Sequence, residues 1–223
     1  MYFYAGSGSI RIVNTIFYDG DEQNDFIRGL AVVFSVPMRE QMHNRHVRFS
    51  GEDPGIWAEP VMPLVSSAGL LNGQNIFNDQ LLGKPIANGD QFASRQKELI
   101  SSLPVWNDYK LVQNNADGFI IQKRTNDHSA WINVNAGNRA TGLVFAGDVK
   151  GGLAVSLKDF WQSYPTALEI CNASENTADM RIWLWSPFSD AMDMRHYDTI
   201  PHGLAATYED VQKGLSTPYG IAR

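Results

Sequence analysis

The sequence is short of cysteine, of cations, of long apolar runs and of internal repeats, and each shortage removes a class of protein. A single cysteine, Cys171, excludes an intrachain disulfide framework and a cysteine-ligated zinc site. It lies in Leu168-Glu169-Ile170-Cys171, an apolar strand-like setting, and reads as a small buried hydrophobe rather than a nucleophile. Eighteen Lys and Arg against 24 Asp and Glu leave a formal charge of −6. A general nucleic-acid partner would need a basic surface along its phosphates, so none is expected. An anionic ligand must instead be met by a local cluster of cations. No apolar run is long enough to span a bilayer as a helix, and no signal-peptide pattern is present. A membrane partner is therefore not expected, and a secreted or periplasmic parent would carry its signal upstream of this sequence.

Sequence repeats at a fixed period are absent too, which disfavours a propeller. Gly6-Ser7-Gly8 and the glycines of 147–152 lack both a following helix and a lysine-serine or lysine-threonine ending, so they read as turns and not as phosphate loops. His43 and His46 are three apart, a spacing that puts them on opposite faces of a strand, and no carboxylate follows at zinc-type spacing. No cofactor is expected, with a calcium-like cation on loop carboxylates as the minor alternative.

What the sequence does have is strand pattern and aromatic mass. With 43% hydrophobic and 11% aromatic residues, 223 residues suffice for a large core. Residues 9–18 and 26–36 read as strands, the second stopped by Pro37, and Val47 with Phe49 marks a third with Arg45 on the same side and His46 and Arg48 on the other. From Gly51 to about Leu103 periodicity is lost, apart from a short amphipathic helix over Gln91–Leu103, and this excursion reads as a functional loop, a lid or a plain insertion. Strands then resume at Tyr109–Gln113, Gly118–Thr125, Trp131–Asn133, Thr141–Ala146, Gly152–Leu157, Ala167–Cys171 and Met180–Trp185, separated by Asn- and Gly-rich turns. The expected fold is all-β: one antiparallel β-sandwich domain over 1–223 with at most one or two short helices. Both ends run straight into apolar sequence, as in a domain excised from a longer chain.

Chemistry concentrates in four places: 44–48, 122–125, 158–165 and 193–198. The last follows Met180–Trp185, which reads as a strand buried on both faces and so as a firm base for Arg195, His196 and Tyr197. Arginine and lysine at strand ends are ordinarily solvated or paired. Jointly, with six tryptophans and eight tyrosines, these islands suit a cleft for an acidic sugar, where aromatic faces stack on rings and cations grip carboxylates.

Phe26-Ile27-Arg28-Gly29-Leu30, Asn44 to Phe49, Lys123-Arg124-Thr125, Lys158 to Pro165, Trp183 to Pro187, Met192 to Asp198 and Pro218 to Arg223 together resemble, in the same order, the exo-rhamnogalacturonan lyase-like (YetA-like) polysaccharide lyase family. The resemblance implies a central β-sandwich from a parent that also has an N-terminal β domain and a C-terminal α/α toroid. It further implies β-elimination on rhamnogalacturonan, with an acidic polysaccharide and the toroid as partners. Elimination needs a cation to neutralise the uronate carboxylate, a base for the C5 proton and an acid for the oxygen leaving C4. In galacturonate those last two lie on opposite ring faces, so base and acid are different groups. Arg195, His196 and Tyr197 are the candidates for these three roles; in an extended strand Arg195 and Tyr197 would share a face and His196 would not. Arg45, His46, Lys123 and Arg124 are candidate substrate-binding residues, although only one of each neighbouring pair should face a cleft. Trp161, Tyr164 and Trp185 read either as stacking platforms or as core aromatics. The competing reading is a non-catalytic carbohydrate-binding or scaffolding sandwich.

Overall fold

The computed structural model describes residues 1–21, 24–65, 75–86 and 92–193, and the backbone of 197–198 and 217–218. It divides into two compact units, residues 1–26 with 193–221, and residues 27–192. In the first, β1 (Tyr2–Phe3) pairs antiparallel with β2 (Ile10–Arg11). The strand expected over 9–18 is thus reduced to two residues. Beyond them Ile12, Val13 and Ile16 are exposed, so the alternation there covers no core, and β propensity without a sheet to pack on forms little strand.

The second unit carries the sandwich. Its elements are β3 (Leu30–Pro37), a single 3-10 turn (Met42–Asn44), β4 (Arg45–Ser50), β5 (Ile56–Pro60), α1 (Ile76–Leu81), α2 (Ser94–Ser101), β6 (Asp108–Asn115), β7 (Gly118–Arg124), β8 (Ile132–Gly137), β9 (Leu143–Asp148), β10 (Gly151–Ser156), β11 (Thr166–Cys171) and β12 (Thr177–Trp185). In the first unit again, β13 (Tyr197–Asp198) and β14 (Thr217–Pro218) pair in parallel. The sandwich has a four-stranded sheet in the order β10-β9-β4-β5 and a six-stranded sheet in the order β3-β12-β11-β6-β7-β8, antiparallel throughout. The expected all-β sandwich is the observed fold, with two short helices in the excursion.

Period-two alternation builds the core. Val47 and Phe49 of β4 meet Tyr109 and Leu111 of β6, Ile121 of β7 and Leu168 and Ile170 of β11, all fully buried. β12 differs from expectation: Met180 and Ile182 are buried within the sandwich, whereas Arg181 and Trp183 stand half-exposed on the other side. An apolar run of tryptophans looks doubly buried because Trp counts as apolar even where only part of its large surface is covered. β5, unforeseen in the excursion, is recruited by β4 through Val47↔Glu59 and Phe49↔Trp57. Its signal was hidden by Pro54-Gly55 before it and Pro60 at its end.

One ion pair ties the sheets together. Glu59 on β5 and Lys123 on β7 meet at 2.5 Å with side chains 14% and 11% exposed, and the ammonium also lies 3.9 Å from the Trp106 ring centroid. Burial raises the Glu59 pKa, which the bonded Lys123 opposes. Removing one partner would leave a charge largely out of water. Lys123→Met is therefore expected to lower the unfolding free energy by about 3 kcal/mol, and adding Glu59→Met to restore much of that loss. Urea unfolding of the two variants checks this; additive losses in the double variant would show that the pair is not the tie.

Candidate functional site

The face of the six-stranded sheet turned away from the core is where charge and aromatic rings gather. Register places Gln122, Lys110, Glu169 and Arg181 side by side across β7, β6, β11 and β12. One step along, Arg124 faces Asp108 across β7 and β6. Since Tyr109, Leu111 and Ile121 point inward, the pleat obliges Asp108, Lys110, Gln122 and Arg124 to point outward.

Most of this row is paired. The Arg124 Nε donates to Asp108 Oδ2 at 2.7 Å and its guanidinium lies 4.5 Å from the Trp131 ring centroid. Glu169 Oε2 accepts from the Trp183 indole at 3.0 Å and from Arg181 at 3.4 Å. Gly29 lets the chain close over Trp183, since a Cβ there would come within 3.1 Å of the ring. Lys110 is different. It is 7% exposed, its Nζ lies 4.0 Å from the centroids of both Trp131 and Phe188, and no residue among those described accepts a hydrogen bond from it. Burial lowers its pKa, with Glu169 raising it and Arg124 lowering it further. Cys171, on the same face, is buried and its thiol is pushed up to about 12, chiefly by burial and then by Glu169, which makes it unreactive as a nucleophile.

The residues singled out from sequence are scattered by the fold. Arg45 is a strut: its Nε donates to the Glu40 carbonyl at 2.7 Å, and Nη1 donates to the carbonyls of Ala173, Ser174 and Glu175 at 3.3, 2.8 and 2.6 Å. His46 points to the opposite face of the four-stranded sheet, 4% exposed, stacked 5.0 Å from Phe145 and covered by Gly83 just beyond α1. Its Nδ1 has no partner among the described residues. Neighbouring Arg48 holds the end of α1 through the Leu81 carbonyl at 3.0 Å. Lys123 lies between the sheets, so of the four candidate substrate-binding residues on β4 and β7 only Arg124 reaches the outer face described above.

Trp161 packs under Arg139, whose guanidinium is 4.4 Å from the ring centroid and is bonded twice to Asp117, at 3.0 and 2.7 Å. Arg139 and Asp117 also line an open groove of about 650 Å³ with Glu52, Asp53 and Asn138. Tyr164 is 44% exposed. Arg195 and His196 lie outside the described residues, as does the side chain of Tyr197, whose backbone pairs with Thr217. Among the described residues no three His, Cys, Asp or Glu side chains gather as a metal ion would require.

Lys110 and Trp131 were not singled out from sequence. Lys110 flanked by Tyr109 and Leu111, whose side chains face the core, was the available signal, and only the register across β7 and β11 turns it into a site.

The architecture defines the chain as a two-sheet antiparallel β-sandwich domain. The family model described as "PcRGLX-like protein central beta sandwich domain" matches residues 1–223, and the chain belongs to that family. It is 36% identical over 231 residues to "Uncharacterized protein YetA" of Bacillus subtilis (strain 168). That alignment covers 99% of this chain and 25% of the relative, so the chain spans about a quarter of the curated relative's length. The resemblance seen in the motifs is thereby established: this is a central β-sandwich domain of a rhamnogalacturonan lyase-like protein.

The buried imidazole has a measurable consequence. Burial, and then the like charge of Arg48, lower the His46 pKa from 6.5 to about 4, while Asp148 opposes the shift. Between those values the unfolded chain binds the proton more readily. The contribution of neutral His46 is thus complete above about pH 6.5, declines as pH falls toward 4 and levels off below it, amounting to about 3 kcal/mol. Unfolding free energies from pH 7 to 4 for wild type and His46→Gln should converge by that order; parallel curves would overturn the assignment.

Proposed function

We propose that this domain holds an acidic pectin chain for a lyase that cleaves rhamnogalacturonan-type polymers by β-elimination at galacturonate. The observation that carries the reading is the outer face of the six-stranded sheet, where Lys110 and Arg124 lie against one indole, Trp131. A uronate presents a carboxylate beside an apolar ring face, and cations set against an aromatic are its chemical complement. Membership in a lyase-like family supports the reaction class.

In this mechanism a cation neutralises the carboxylate and a base takes the C5 proton. The electron pair of that bond forms the C4–C5 double bond as the C4–oxygen bond breaks, and an acid protonates the departing oxygen. Arg195, His196 and Tyr197 remain our candidates for neutraliser, base and acid, in a cleft whose facing wall is the toroid implied for the parent protein. A non-catalytic carbohydrate-binding role is the second reading. It is favoured by one feature: among the described residues, no imidazole or phenol is bonded to or stacked on Lys110, Arg124 or Trp131.

An elimination assay separates the two. Full-length parent protein acting on rhamnogalacturonan should raise ultraviolet absorbance from the new double bond, and single Arg195→Ala, His196→Ala and Tyr197→Phe substitutions should each lower turnover at least 100-fold where the residue transfers the proton or neutralises the carboxylate. Near-normal rates in all three would remove these residues from the mechanism. A parent that binds the polymer and never eliminates would establish the non-catalytic role.

A further inference from the structure

We propose that Lys110 is the carboxylate receptor of this face, the residue that distinguishes a uronate from a neutral sugar. The inference rests on the acidic-glycan reading above and names the group within it that does the selecting.

The Lys110 ammonium has no protein acceptor among the described residues. An ammonium carries three N–H donors, and burying it without acceptors is costly. Arg45 meets the same problem with four carbonyl contacts and Lys123 meets it with Glu59. Lys110, whose side chain is buried to a similar degree, has neither, and its Nζ, unlike His46 Nδ1, keeps contact with solvent, so an incoming oxyanion would replace water there. Two ring faces at 4.0 Å stabilise its charge, yet they do not take up N–H donors as oxygen does.

The neighbouring carboxylates are engaged elsewhere. Glu169, Lys110's partner across β11, gives Oε2 to Trp183 and Arg181. Asp108 accepts Arg124 Nε on one oxygen and both Asn107 Nδ2 and Asn172 N on the other. The solvent-reached Nζ is therefore open to an oxyanion from outside, and two features narrow its kind. The cation is walled by aromatic rings, which favour a ligand with an apolar ring face. Arg124, within 5 Å of the same Trp131 centroid, stands beside it as a second cation, with its Nε and Nη1 occupied and Nη2 without a bonded partner among the described residues. A carboxylated sugar satisfies both; rhamnose or galactose, lacking the carboxylate, leaves the ammonium as it is in the empty face.

The alternative is that Lys110 is only a packing element, its stem covering the sheet and its charge resting on the rings. Binding distinguishes the two. Full-length parent protein is titrated calorimetrically with a rhamnogalacturonan oligosaccharide and with the same oligosaccharide after reduction of its carboxyl groups to alcohols. Lys110→Met should weaken the acidic ligand at least tenfold and leave the reduced one within twofold. Equal affinity of Lys110→Met and wild type for the acidic ligand would overturn the proposal.

Should Lys110→Met not fold, the wild-type protein still answers. Acetylation by acetic anhydride, read by peptide mass spectrometry, should modify Lys110 in the free protein and be suppressed by the acidic oligosaccharide but not by its reduced form. No modification in the free protein, or protection by both forms alike, would refute the receptor role. The lyase reading fails separately. A parent that never eliminates, yet loses acid-selective binding in Lys110→Met, removes the reaction and keeps the receptor; elimination and binding both unchanged in Lys110→Met keep the reaction and remove the receptor.

Discussion

Burying one face of the six-stranded sheet against β4 and β5 determines everything the other face displays. A pleated strand has two sides and a period of two, so once Tyr109, Leu111, Ile121, Leu168 and Ile170 are committed to the core, their sequence neighbours have nowhere to go but outward. Moving any one of these strands by a single residue would put Lys110, Glu169 or Arg124 into the sandwich and Leu111, Ile170 or Ile121 onto the outer face. The hydrophobic pattern therefore fixes register, and register assembles Gln122, Lys110, Glu169 and Arg181 into one row from four strands. The candidate site is a by-product of core formation, and its precision is that of the core.

Three buried cations in this domain show three answers to one problem. Arg45 spends its fork on main-chain carbonyls at 2.6–3.3 Å and pins the 173–175 loop to the start of β4. Lys123 meets Glu59 and joins the sheets. Lys110 has aromatic rings and solvent but no protein acceptor among the described residues. Protein oxygens already hold the first two, which makes them parts of the scaffold. His46 belongs to the scaffold on other grounds: neutral and covered, it lets the end of α1 rest on the four-stranded sheet beside Arg48.

Much of the fold was legible in the sequence because its strands are regular and punctuated. From Tyr109 to Trp185 each expected strand is present, with ends shifted by a few residues. The helix expected over Gln91–Leu103 is there as Ser94–Ser101. Where reading failed, the reason is physical. Residues 9–18 alternate but have little sheet to join, and β5 forms because β4 supplies a partner far along the chain. The site was harder. A cluster along a sequence is not a cluster in space, because adjacent residues on a strand point to opposite sides: Arg45 and His46 part company on β4, as Lys123 and Arg124 do on β7. Lys110 showed the converse, an isolated lysine whose companions come from other strands.

Electrostatics explains why such a lysine matters in an acidic protein. With a formal charge of −6, the molecule as a whole repels a polyanion, but at physiological salt that repulsion fades over about 8 Å, and contact is decided locally. Locally, a cation already matched by a carboxylate offers a sugar acid little, because binding the ligand must first displace a partner of the same charge. Arg181 with Glu169 is in that position, and Arg124, whose Nε is held by Asp108, keeps only Nη2 for a ligand. An ammonium held by aromatic rings is in neither position: the rings lower the cost of keeping it charged in the empty state and surrender nothing when an oxyanion arrives, since ring face and carboxylate approach from different directions. A surface that must hold acidic sugars while repelling them at a distance is therefore best served by few cations, each deprived of a carboxylate of its own, and on this face Lys110 alone among the described residues meets that condition.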